Sequence, residues 1–71
     1  MEIPNPKANK DDIVLVENYR CKPPKIEPGR VVALGYKNRL GFFRWSYEVS
    51  ISKRNTSYRI YVGDEGIKET L

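Results

Sequence analysis

The chain has 71 residues, with 13 Lys and Arg against 9 Asp and Glu, no histidine and a single cysteine, Cys21. A chain of this length buries only about 60% of the surface its unfolded form exposes, so the core is small, and a shallow surface site is expected in place of a deep substrate cleft. One cysteine without histidine excludes an internal disulfide, a Cys/His metal cluster and a thiol–imidazole catalytic pair; the expectation is a non-enzymatic protein with no catalytic residues, no metal and no cofactor.

The opening MEIPNPKANKDD has no basic segment followed by an apolar run, as a secretory leader would. The longest apolar run, Ile13 to Val16, falls far short of the roughly 20 residues that span a bilayer. A cytoplasmic protein without membrane contact is the expectation, in keeping with a lone unpaired thiol. The net charge of +4 is unevenly spread. Residues 20–45 carry Arg20, Lys22, Lys25, Arg30, Lys37, Arg39 and Arg44 against Glu27 alone.

Residues 1–11, with Pro4 and Pro6 among polar neighbours, read as a flexible N-terminal arm, and residues 12–71 as one β domain. Ile13-Val14-Leu15-Val16 is a β-branched run of strand length that ends near Tyr19. Residues 20–29, RCKPPKIEPG, hold three prolines that remove backbone donors, so they are expected to form a loop outside any ladder, with Ile26 pinning it to the core. Pro28-Gly29 signals a turn into a strand from Arg30 to Tyr36. Along it Val32, Leu34 and Tyr36 are expected on one face and Val31, Ala33 and Gly35 on the other. Lys37 to Gly41 is a polar, turn-forming connection.

Trp45, Tyr47, Val49 and Ile51 alternate with polar residues over positions 44–52, the period of a half-buried strand. Positions 57–62 repeat the pattern with Tyr58, Ile60 and Val62. An antiparallel pair closed about Arg54 and Asn55 sets Ile51 opposite Tyr58, Val49 opposite Ile60 and Tyr47 opposite Val62, so both apolar faces coincide. The Lys53–Thr56 connection is expected as a four-residue loop. Gly63 to Gly66 makes a further turn, and Ile67 closes the core from a short last strand.

These elements predict an all-β fold of five short antiparallel strands. The segments GRVVALGY, RWSYEVSI and SYRIYVGDEGI, over roughly residues 12–69, resemble the SH3-like barrel superfamily, including its Tudor-type and KOW-type modules. What carries the likeness is a long loop after the first strand, a Pro-Gly entry into the second, a tight hairpin between the third and fourth, and a one-turn link to a brief fifth. It implies a five-stranded antiparallel SH3-like barrel that serves as a binding module.

The candidate binding surface joins the basic residues Lys22, Lys25, Lys37, Arg39 and Arg44 to the aromatics Tyr36, Phe42, Phe43 and Tyr61, a combination suited to neutralising phosphates and stacking bases. Its bland counterpart has Phe42 and Phe43 capping a barrel end and the charges forming ordinary surface pairs such as Glu48 with Arg59. Trp45, Tyr47 and Tyr58 are assigned to the core by their strict alternation, although similar rings line methyl-lysine cages. Two partners fit the surface: nucleic acid, which is favoured, and a larger protein complex that the chain joins as an accessory subunit or a phage-like inhibitor. The chain is expected to be a monomer or a weak homodimer.

Overall fold

The computed structural model describes residues 2–71, with Arg39 described by its backbone alone. Five strands follow in order: β1 (Ile13–Asn18), β2 (Lys25–Arg39), β3 (Phe42–Ser52), β4 (Ser57–Gly63) and β5 (Ile67–Thr70). A single 3-10 turn, Asp64–Gly66, separates the last two. All pairings are antiparallel and form one sheet in the order β4-β3-β2-β1-β5.

The β3–β4 hairpin has the register its alternation requires, with Ile51 opposite Tyr58, Val49 opposite Ile60 and Tyr47 opposite Val62. Tyr47, Val49, Ile51, Ile60 and Val62 are buried, and Trp45 and Tyr58 pack half-buried against them. The connecting loop is closed by Lys53 N–H donating to Thr56 O at 2.7 Å. On the outer face Arg59 meets Glu48 at 2.6 Å.

β2 organises the rest of the fold. Its first part, Lys25 to Arg30, pairs with β1, and the remainder, Arg30 to Arg39, pairs with β3. The proline-rich segment is therefore a ladder strand from Lys25 onward, where a loop was expected. Pro28 lies opposite Leu15, and because β2 has only one neighbour there, a proline can join with its nitrogen on the open side. Ile26 does not reach the core and is 52% exposed. It sits one residue from Glu27, which takes the inner position opposite Val16.

Between Val31 and Ala33 the register shifts, a bulge that inserts one extra residue into β2. The expected split of Val31 from Leu34 is corrected by it: Val31 lies opposite Val49 and Leu34 opposite Tyr47, both on the core face. Just before the bulge, Gly29 passes so close over β3 that a Cβ there would stand 2.5 Å from Val49 Cγ1. The absent side chain lets β1 and the start of β2 fold down onto β3 and β4, with Val14, Val16 and Ile67 filling the space between.

The N-terminal segment forms no strand, but it is anchored, and to that extent the flexible-arm expectation is corrected. Trp45 Nε1 donates to Pro4 O at 2.7 Å, Lys7 N to the Tyr47 hydroxyl at 2.9 Å, and Asp11 N to Val31 O at 2.7 Å. Ala8, within this segment, is buried in the core cluster. A residue as small as alanine gives no periodic signal of this burial.

Candidate functional site

β1 and β4 cover only part of the β2–β3 ladder. β4 pairs with β3 no further than Ser46, opposite Gly63, and β1 pairs with β2 no further than Arg30. The rungs from Tyr36↔Trp45 to Arg39↔Phe42 thus project as a two-stranded ribbon, and the molecule is elongated to 44 × 23 × 17 Å. Lys37 to Arg39, read as part of a polar connection, belongs to the ladder, and the turn shrinks to Leu40-Gly41.

The ribbon has two chemically distinct faces, because residues opposite in register share a side. Tyr36, Phe43 and Trp45 lie together on one. The Tyr36 and Phe43 rings stack at 5.5 Å between centroids, and Tyr36 and Trp45 meet at 5.4 Å with a 55° tilt. On the other, Lys37 stands directly opposite Arg44, and the Arg44 guanidinium lies 5.8 Å from the centre of the Phe42 ring. Phe42 and Phe43 are 64% and 58% exposed, so they project from the ribbon and do not cap the core.

Residues 36–45 contain no acidic side chain. Ion pairs among the described residues lie elsewhere, at Lys53–Glu27, Arg59–Glu48 and Lys68–Glu17. Where β4 stops, a groove of about 690 Å³ opens along the uncovered edge of β3, lined by Phe42, Arg44 and Trp45 with Glu65 on its far wall.

Of the residues singled out from the sequence, Tyr36, Lys37, Phe42, Phe43 and Arg44 come together on this ribbon. Arg39 is placed there by its backbone, opposite Phe42, and its side chain lies outside the described residues. Tyr61 is exposed on the outer face of β4 and shares a small hollow with Lys37 at the ribbon's base. Lys22 and Lys25 are not brought to this ribbon. Lys25 begins β2 beside the far end of β3, and the 11 residues of β3 separate the two ends by about 33 Å. Leu40, Trp45 and Glu65 were missed. Only Trp45 had a visible signal, and its place in the alternation read as core.

The end that holds Lys25 is a structural cluster. The fully buried Asn18 donates from Nδ2 to Glu27 Oε2 and to the Tyr58 hydroxyl, each at 2.7 Å, and Arg20 lies 4.7 Å over the Tyr58 ring. The hydrogen bond from Lys53, seconded by Asn18, holds the Glu27 carboxyl below its usual range, and Glu27 in turn raises Lys53. Comparison with protein-family models, curated proteins and solved structures finds no match. Near the ribbon's base, burial pushes the Tyr47 phenol up to about 12, reinforced by its 2.7 Å hydrogen bond to Asp64 Oδ1. Both clusters have their polar atoms satisfied by each other, which is how a fold is held and leaves little for a ligand.

Proposed function

We propose that the protein is a non-catalytic binding module that holds nucleic acid on its projecting β2–β3 ribbon. The observation that carries this reading is the Lys37–Arg44 rung: two like charges face each other across the projecting ribbon, whose residues 36–45 include no acid. Such a pair works against the fold, and a polyanion relieves it by bringing phosphates between the cations. Phe42 on the same face as this rung, and Tyr36 and Phe43 on the ribbon's other face, offer ring faces on which bases stack.

The finer architectural reading is an SH3-like barrel. It is supported by the order β4-β3-β2-β1-β5, by a β2 shared between two ladders through a bulge, and by the one-turn link into β5. Modules of this shape are binding domains, in line with a site on a projecting hairpin.

A second reading, a protein partner, draws on the groove beside β3. Its backbone from Phe42 to Trp45 is uncovered, and an exposed strand edge is a template for strand addition from another chain. Fluorescence anisotropy against single- and double-stranded oligonucleotides at low and moderate salt separates the two. Salt-sensitive binding that weakens in Lys37→Ala and Arg44→Ala supports nucleic acid; no binding at low salt removes it and leaves the strand edge.

A further inference from the structure

We infer that Leu40 is an apolar wedge: the ribbon enters a DNA duplex from the minor groove, and the leucine side chain inserts between two base steps. The inference rests on the nucleic-acid reading above and adds what form of nucleic acid is bound and how.

Leu40 and Gly41 make the whole turn, with φ of 53° and 86°. Positive φ at both central positions is the geometry that favours Asn-Gly, and Gly41 N–H donating to Asn38 Oδ1 at 3.1 Å holds the turn in it. A leucine in the left-handed region costs roughly 1–2 kcal/mol relative to its ordinary backbone conformation. Here packing returns nothing, since Leu40 is 98% exposed at the tip. Strain combined with complete exposure points to a residue selected for what it meets outside the molecule.

The ribbon's reach matches the depth of the minor groove, and because two strands with their side chains exceed its about 6 Å width, entry requires the groove to widen. Lys37 and Arg44 lie three rungs behind the tip, which at about 3.3 Å per residue is about 10 Å. The minor groove is about 7.5 Å deep. With Leu40 at the groove floor, the Lys37–Arg44 rung therefore comes level with the phosphates at its rim. Gly41 adds no side-chain bulk at the tip, and nothing lies within 4 Å of the position its Cβ would occupy. Apolar side chains inserted from this groove unstack a base step and bend the duplex away, which widens the groove that admits them.

The test is fluorescence energy transfer between the ends of a short duplex, together with the emission of 2-aminopurine placed at successive steps. It compares the wild type with Leu40→Gly and Leu40→Ala. Glycine suits the left-handed turn, so Leu40→Gly keeps the ribbon formed. The expected result is a bend within the range of about 20–90° seen for wedged duplexes and brighter 2-aminopurine with the wild type. Leu40→Gly is expected to lose the bend and the unstacking and to bind the same duplex more weakly, while the salt dependence set by Lys37 and Arg44 is unchanged. Duplex binding without a bend, a bend unchanged in Leu40→Gly, or binding confined to single strands overturns the wedge while nucleic-acid binding stands. Failure of every oligonucleotide to bind at low salt overturns both.

Discussion

Lys37 and Arg44 stand opposite each other on the β2–β3 ladder, and the ribbon that carries them holds no acid. Replacing one cation with an acid turns a repulsive rung into an attractive one. Lys37→Glu is expected to raise stability by about 0.2–1 kcal/mol while weakening nucleic-acid binding. Chemical denaturation read beside anisotropy checks both arms. A variant that loses stability and affinity together would show that Lys37 supports the fold and not the ligand.

Gly29 is expected to tolerate no side chain. In Gly29→Ala the new methyl would stand 2.5 Å from Val49 Cγ1 and 2.9 Å from Ile51 Cδ1, an overpacking that costs about 1–3 kcal/mol. Thermal unfolding of the variant measures it. Reducing the neighbour in the double variant Gly29→Ala/Val49→Ala is expected to recover part of the loss relative to Val49→Ala.

Asn18 joins the end of β1 to β2 and β4 through one buried amide. Asn18→Ala removes the donor to Glu27 and Tyr58 together, and the expected loss is about 1–3 kcal/mol. A double-mutant cycle with Tyr58→Phe isolates the Asn18–Tyr58 bond. Additive losses would show that the two residues act independently.

Stability should fall on both sides of neutrality for separate reasons. Tyr47 has its folded pKa raised from 10.0 to about 12, so its contribution is full below 10 and is lost as pH rises through about 12. Glu27 has its folded pKa lowered from 4.5, so its contribution is full above that value and is lost as pH falls through the depressed one. Tyr47→Phe is expected to flatten the alkaline limb and Glu27→Gln the acid limb of a stability profile followed by circular dichroism. An alkaline limb unchanged in Tyr47→Phe would assign it to other groups.

The β3–β4 hairpin was legible residue by residue, because Tyr47, Val49, Ile51, Tyr58, Ile60 and Val62 alternate strictly and one buried face permits a single register. β2 was not. Prolines argue against a ladder only where both sides of a strand are paired, and Pro28 lies where one side is open. The bulge at Val31 reverses which residues share a face, and no period reports an inserted residue. At the candidate site, composition found Lys37, Phe42, Phe43 and Arg44, yet grouped them with Lys22 and Lys25. Sequence proximity hid that the long β3 holds the two sets apart. Leu40 was passed over inside a segment read as a polar connection, since its significance lies in a backbone angle and an exposure that only the fold reveals.

The most direct measurement is the dependence of duplex affinity on salt, for the wild type and for Lys37→Ala/Arg44→Ala. With each neutralised phosphate contributing a slope of about −0.9 in log affinity against log salt, removal of these two cations should make the slope shallower by about 1.8 units and weaken binding at low salt. A double variant that binds as tightly as the wild type, with the same slope, would contradict the assignment of the β2–β3 ribbon as the nucleic-acid site.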